Sequence, residues 1–257
     1  MHGLSGHPSE MTGRSDRPKP NPLKLLRGDG PLLRVGHRGA AALAPANSMA
    51  AVEAALEHGV DFVELDVLAA GGRLVLGHSR RELGPNPVSL EDMLVFLAER
   101  APATGLLADL KLAGHDRQLV DALRAHGFVE RTLACTNYAP TLNNLRAIEP
   151  ALSRSRTYPR GHVYFRRRRT RIPIAGPALW AVKTSLPLRV ERLTGEVGAR
   201  AMTLGRRVVT RETVERCHEL GIAVLVWTVN RVDVVRDLDD LGVDGVITDD
   251  PRVFGRV

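Results

Sequence analysis

The sequence predicts a (β/α)8 barrel, and three observations carry that expectation. From residue 32 onward, short apolar runs alternate with segments of helical period, which is the pattern of parallel β-α units. About eight strand-like runs of this kind follow one another. The length of 257 residues suits one such barrel. An open doubly wound sheet is the alternative way to assemble the same units.

Residues 1–30 are rich in Gly, Pro, Ser and charge and read as a mobile tail; residues 31–257 read as the domain. Leu32–His37 is the first strand. Asn47 or Ser48 caps a helix running to about His58, with Met49, Val52, Ala55 and Leu56 on one side. Val60–Leu68 is the next strand, and Gly71-Gly72 turns it into Arg73–Gly77. Ser89 caps a helix through Ala98, with Glu91 and Asp92 in its first turn suiting the helix dipole. Leu106–Leu112 is a strand, Asp116–His126 a helix ended by Gly127, Thr132–Thr136 a strand, Pro140–Ile148 a helix and Ala151–Thr157 a strand. Tyr158–Pro177 is irregular and basic, Ala181–Thr184 is expected as a strand, and Met202–Leu204 as a weak one. Thr210 caps a helix ending near Leu220, and Ile222–Val229 is a strand. Val232–Leu241 is a helix and Val246–Thr248 the last strand.

Composition narrows the classes. Hydrophobic residues make up 44%, enough for a substantial core. The net charge of +7 favours anionic partners. Aromatics at 4% leave few stacking platforms, so no nucleic-acid partner is expected. Cys135 and Cys217 are far apart and form no paired motif, so neither a disulfide framework nor a zinc cluster is suggested. No run approaches the roughly 20 apolar residues of a membrane span, and no apolar leader is visible. The expectation is a cytoplasmic chain.

In a barrel, polar residues at strand C-termini converge on one mouth. His37, Glu64, Asp66, His78, Asp109, Lys111, Trp227 and Asn230 all fall there. Glu64 and Asp66 are two apart, so both carboxylates point to one side of a strand. Side by side they repel unless a positive charge sits between them. A hard divalent cation, Mg2+ or Ca2+, is the simplest partner. The structural alternative is an ion-pair network in which Lys111 or Arg38 neutralises them. His37 and His78 end nearby strands, each preceded by a glycine that would let a substrate approach the backbone. Two imidazoles flanking a phosphorus serve as general acid and general base, and Arg38 adds a planar donor for phosphate oxygens. The remaining histidines carry no such pattern.

These motifs resemble the glycerophosphodiester phosphodiesterase family. H-R-G-A, A-P-A-N-S, V-D-F-V-E-L-D-V and L-V-L-G-H-S follow the order of that family's H-R-G, P-E-N-T, E-x-D-V and strand ending in H-D. L-A-D-L-K resembles its E-x-K strand, and V-L-V-W-T-V-N with G-V-D-G-V-I-T-D-D-P its closing strands. The resemblance spans about Leu33 to Val253 and is weak from Thr157 to Arg207. It implies a (β/α)8 barrel and metal-dependent cleavage of a glycerophosphodiester to glycerol 3-phosphate and an alcohol. By the same resemblance His37 and His78 are the acid–base pair. Glu64, Asp66 and Asp109 are the ligands of one divalent cation. Arg38 and Lys111 face the phosphate, and Trp227 stands near the glycerol end.

Three positions depart from the family pattern. Ala46 replaces the Glu of P-E-N-T. Asp109 is one methylene shorter than the usual Glu. Only ten residues separate His78 from Ser89, where the family has a longer covering segment. The first two bear on metal affinity and the third on specificity. A separate feature is the tract Phe165-Arg166-Arg167-Arg168-Arg169-Thr170-Arg171. Arg166–Arg171 would meet an anionic membrane surface, giving membrane association, or else form a solvated loop. The rival functions are a lysophospholipase D-like activity on lipid diesters and a barrel that binds a phosphate ligand without turnover. A small phosphodiester or a lysophospholipid is the expected substrate.

Overall fold

The computed structural model describes residues 23–159 and 175–256. Nine strands occur in chain order: β1 (Leu33–His37), β2 (Phe62–Ala70), β3 (Arg73–Leu76), β4 (Gly105–Leu110), β5 (Thr132–Thr136), β6 (Ser153–Tyr158), β7 (Ala201–Gly205), β8 (Ala223–Trp227) and β9 (Gly245–Thr248). All but β3 are parallel, and β1 pairs with both β2 and β9, so eight strands close a (β/α)8 barrel. β3 turns back antiparallel on β2. Gly71 and Gly72, with φ of 57° and 75°, make the two-residue turn that needs both residues left-handed.

The helices are α1 (Met49–Glu57), α2 (Leu90–Arg100), α3 (Asp116–Ala125), α4 (Ala139–Ile148), α5 (Ala175–Gly195), α6 (Arg211–Glu219) and α7 (Val232–Asp240). A 3-10 segment, Pro251–Arg256, follows β9. Three starts are set by hydroxyl caps: Ser48, Ser89 and Thr210 accept from the backbone N–H of Ala51, Asp92 and Thr213. Ser48, not Asn47, therefore caps α1, which frees Asn47 for another task. No described helix is long and apolar enough to cross a membrane.

Strand alternation sorts side chains between the barrel interior and the helix layer. Val35, Phe62, Leu107, Leu133, Cys135, Ala201, Ala223, Leu225 and Ile247 share one interior cluster. Residues of opposite parity, such as Val63, Leu65, Val224 and Val226, pack against the helices. The interior is tight: a Cβ on Gly105 would lie 2.3 Å from the Phe62 ring. This parity carries one consequence for function. His37, Glu64, Asp66, Asp109 and Trp227 continue the interior rows of β1, β2, β4 and β8 at their C-terminal ends.

Two expectations need correction. Ala181–Thr184 is not a strand; it lies inside α5. A four-residue apolar window hides the longer helical period of Leu179, Val182, Leu186, Val190 and Leu193, which face the core. The assigned tail also ends earlier. Leu23 and Leu25 are buried in the interior cluster, and the Arg27 backbone N–H donates to Asp244 Oδ1 at 3.0 Å. The described part of 1–30 thus packs on the N-terminal end of the barrel. The tract Arg166–Arg171 lies outside the described residues.

Candidate active site

β1 ends in a turn that wraps around Glu64. Arg38 has φ of 52°, a left-handed conformation unusual for a long side chain and typical of constrained sites. The turn is held by Glu64: its Oε2 accepts from the Arg38 backbone N–H at 2.8 Å, and its carbonyl accepts from the Gly39 N–H at 3.1 Å. Gly36 serves this turn. A Cβ there would sit 2.3 Å from the Gly39 carbonyl oxygen, so the glycine makes room for the chain itself and not for a substrate.

The carboxylates meet because β1, β2 and β4 are neighbours in register, with His37 opposite Glu64 and Asp66 opposite Asp109. Glu64, Asp66 and Asp109 each offer an oxygen, and these oxygens lie within 4.8 Å of one another. Asp66 is fully buried. Asn47 grips it twice, donating from Nδ2 to Oδ2 at 2.9 Å and accepting the Asp66 backbone N–H at 3.0 Å. Arg38 Nε lies 3.0 Å from Oδ2, and Lys111 Nζ lies 2.6 Å from Oδ1 and also pairs with Asp109.

The electrostatics follow from this crowding. Burial raises the Glu64 carboxyl to about 7, with Asp66 and Asp109 adding to the rise and His37 and Lys111 opposing it. Burial would raise Asp66 too, but His78, Lys111 and Arg38 outweigh it and hold Asp66 well below the usual carboxylate range. Burial would lower Lys111; Asp109, Asp66 and Glu64 reverse that and hold it protonated. His37 is likewise lowered by burial and raised more strongly by Glu64 and Asp249.

The two histidines face the site differently. His37 is mostly buried; its Nδ1 lies 2.6 Å from Asp249 Oδ1 and its Nε2 3.8 Å from Glu64 Oε2. The His78 side chain is 43% exposed, and its Nδ1 lies 3.4 Å from Asp66 and 3.2 Å from Arg38 Nη2. The short 79–88 segment leaves that exposure. Leu76 N–H donates to the Val88 carbonyl at 2.9 Å, which brings the chain back beside β3 just before α2. Trp227 stands at the end of β8, donating from Nε1 to the Thr203 carbonyl at 3.2 Å. Cys135, in register with Asp109, is buried, and burial pushes its thiol well up, so it acts as an unreactive wall.

Seven of the eight predicted residues, His37, Arg38, Glu64, Asp66, His78, Asp109 and Lys111, thus form one contact network, and Trp227 stands on the same mouth. The residues present fit a divalent cation. Ligand oxygens of such an ion lie about 2.0–2.6 Å from it, so a set within 4.8 Å can share one centre. Asp66 Oδ1, buried, lies 2.6 Å from the Lys111 ammonium. Asp109, despite its shorter side chain, reaches the set because it stands directly opposite Asp66. Ala46 is exposed and adds nothing. Sequence reasoning missed the roles of Asn47 and Asp249. The N of A-P-A-N-S and the first D of T-D-D-P were visible as motif members, yet their partners lie 19 and 212 residues away.

A barrel with a carboxylate cluster, two cations and two histidines at its C-terminal mouth has the equipment of a phosphoric ester hydrolase. Residues 37–84 and 135–253 match the glycerophosphoryl diester phosphodiesterase family. A glycerophosphodiester phosphodiesterase of Caldanaerobacter subterraneus is 26% identical over 257 residues, covering 86% of this chain and 96% of that protein. A Mycobacterium tuberculosis protein named a probable glycerophosphodiester phosphodiesterase is 30% identical, covering 88% of this chain and 90% of its own. Among solved structures, a phosphodiesterase of Oleispira antarctica superposes with a TM-score of 0.70 at 17% identity, covering 88% of this chain and 96% of that one. The chain belongs to the glycerophosphoryl diester phosphodiesterase family, and so to the phosphoric diester hydrolases.

Proposed function

We propose that the chain hydrolyses glycerophosphodiesters to glycerol 3-phosphate and an alcohol, with one divalent cation, Mg2+ or Ca2+, held by Glu64, Asp66 and Asp109. The observation that carries this reading is that His37 and His78 both border that carboxylate set, at 3.8 Å from Glu64 and 3.4 Å from Asp66. A bound cation would polarise the phosphoryl oxygen and lower the pKa of an attacking hydroxyl.

The residues themselves supply the rest. Arg38 and Lys111 neutralise charge on the non-bridging phosphate oxygens. One of His37 and His78 takes the proton of the nucleophile, and the other gives one to the leaving alkoxide. Trp227 forms an apolar wall for the glycerol carbons. The nucleophile is water or the neighbouring glycerol hydroxyl; a cyclic glycerol phosphate trapped early in the reaction identifies the second. The Oleispira fold neighbour, described as a complex with the product sn-glycerol-3-phosphate, supports the substrate class.

The test is release of glycerol 3-phosphate from glycerophosphocholine and glycerophosphoethanolamine, and of lysophosphatidic acid from lysophosphatidylcholine, with Mg2+, Ca2+ or a chelator. Metal-dependent release from the first two is expected. No release under any cation, or a His37→Ala variant equal to the parent, would overturn the reading.

A further inference from the structure

We propose that Asp249, itself held by Asn230, positions the His37 imidazole and fixes which ring nitrogen faces the substrate. The inference rests on the proposed hydrolysis for its kinetic readout and on geometry for its argument. Asp249 follows β9, Asn230 follows β8, and His37 ends β1. Three neighbouring strand ends therefore meet at one carboxylate.

Each oxygen of Asp249 has one side-chain donor. Oδ1 lies 2.6 Å from His37 Nδ1, and Oδ2 accepts from Asn230 Nδ2 at 2.6 Å. Asn230 is fully engaged in return. Its Oδ1 accepts from the Asp249 backbone N–H at 2.9 Å and from Thr248 Oγ1 at 3.0 Å. The amide thus clamps Asp249 by both its main chain and its side chain. An Asn amide placed this way has one orientation, because its oxygen alone can accept the two donors.

The consequence reaches the reacting atoms. An ionised carboxylate only accepts, so the proton between Asp249 and His37 resides on Nδ1. Nε2 is then the nitrogen turned towards Glu64 and the mouth. The donors of Asn230 and His37 both stabilise the ionised form of Asp249, whose pKa lies below the ordinary carboxylate range although burial works against it. Among the described residues, His78 Nδ1 has the Asp66 carboxylate at 3.4 Å, a longer contact than the 2.6 Å between His37 and Asp249. Its Nδ1 faces a guanidinium donor of Arg38, and the ring is far more exposed. Asp249 acts through His37 and is a positioning residue.

The experiment uses the metal-loaded full chain with Asp249→Asn, Asp249→Ala and Asn230→Ala. With glycerophosphocholine, kcat is expected to fall about 10–100-fold in the Asp249 variants, with KM within about threefold of the parent. Asn230→Ala should fall in the same direction by less. Asp249→Asn conserves shape but has one acceptor for two donors, so its amide can turn N–H groups towards Nδ1 and reverse the tautomer. Added formate or acetate should restore part of the Asp249→Ala loss, which a purely structural role would not allow. 15N spectra of the imidazoles should place the His37 proton on Nδ1 in the parent and move it in Asp249→Asn. Asp249→Asn with kcat within about threefold of the parent, or with an unchanged tautomer, overturns the inference. If Asp249→Ala fails to fold, Asp249→Asn and Asn230→Ala decide it. A parent without phosphodiesterase activity counts against the proposed function. The 15N signature then decides this inference alone: a proton moved in Asp249→Asn supports it, and an unmoved one refutes it.

Discussion

Lys111→Met is the perturbation that most directly reads the charge balance of the mouth. Lys111 Nζ lies 2.6 Å from Asp66 Oδ1 and also pairs with Asp109, while Asp66 is fully buried and the Lys111 side chain only 20% exposed. Methionine keeps the length and removes the charge. Removing one partner of a buried pair costs roughly 3–5 kcal/mol, because the other charge is left uncompensated. Arg38 remains 3.0 Å from Asp66, which favours the lower figure of about 3 kcal/mol. At about 2–4 °C per kcal/mol for a chain of this size, the melting temperature falls by roughly 6–12 °C. The loss depends on pH through Glu64. Its carboxyl is raised to about 7 in the folded protein, so the folded state favours the protonated form at low pH and loses that advantage as pH climbs through 7. Without Lys111, that ionisation adds a third carboxylate beside Asp66 and Asp109 with one cation fewer to oppose it. The deficit should therefore be larger at pH 8 than at pH 6. Saturating Mg2+ or Ca2+ supplies the missing positive charge and should raise the variant's melting temperature more than the parent's. Differential scanning fluorimetry across this pH and cation grid is the assay. A variant melting within about 2 °C of the parent at pH 8 would refute the buried-pair argument. Saturating cation that shifts neither protein would refute the cation site.

Three further outcomes are expected. The stabilisation of the parent by Mg2+ or Ca2+ should grow between pH 5.5 and pH 8, because Glu64, raised to about 7, must lose its proton to become a ligand; a thermal shift that is flat or falls with pH contradicts this. His37→Ala and His78→Ala should each lower kcat on glycerophosphocholine by about 10²–10⁴-fold, and His78→Ala, altering a side chain 43% exposed, should lower the unfolding midpoint in urea by less than Lys111→Met does. Asn47→Ala removes the partner of the Asp66 backbone N–H and should cost about 1–3 kcal/mol by chemical denaturation, with metal affinity weakened in isothermal titration because Asp66 is no longer held; an unchanged affinity would limit Asn47 to a folding role.

Most of the barrel was legible because its strands are short, apolar and bounded by caps that act locally. Ser48, Ser89 and Thr210 each satisfy a backbone N–H three residues on, and such signals survive in a bare sequence. The misses are places where distance decides. Ala181–Thr184 looks extended only when severed from Leu179, Leu186 and Val190, with which it forms one helical stripe. Leu23 and Leu25 stand in a polar, proline-rich context that suggests a tail, and only the closed barrel offers them an apolar interior to enter. Nothing within ten residues of either leucine announces that destination.

The site divides along the same line. Glu64 and Asp66 reveal a shared face by their spacing, and the barrel rule carries His37, Asp109 and Lys111 to the same mouth. What spacing could not reveal is how the charges are balanced. An ion-pair network and a cation site are rival readings of Glu64 and Asp66; the geometry shows the ion pairs and leaves three carboxylates close enough to share one ion. Asp66 meets Arg38, Lys111 and Asn47 and is held well below the usual carboxylate range, so its charge is matched. Glu64, a few ångströms away, is opposed by His37 at 3.8 Å, by backbone N–H donation from Arg38 and by the charge of Lys111, and burial still drives its carboxyl upward. A network built only for stability has no reason to bury a carboxylate that its own cations fail to satisfy. The shortfall of positive charge sits at Glu64, on the side of the cluster that His37 shares, and that is where a divalent cation would complete it.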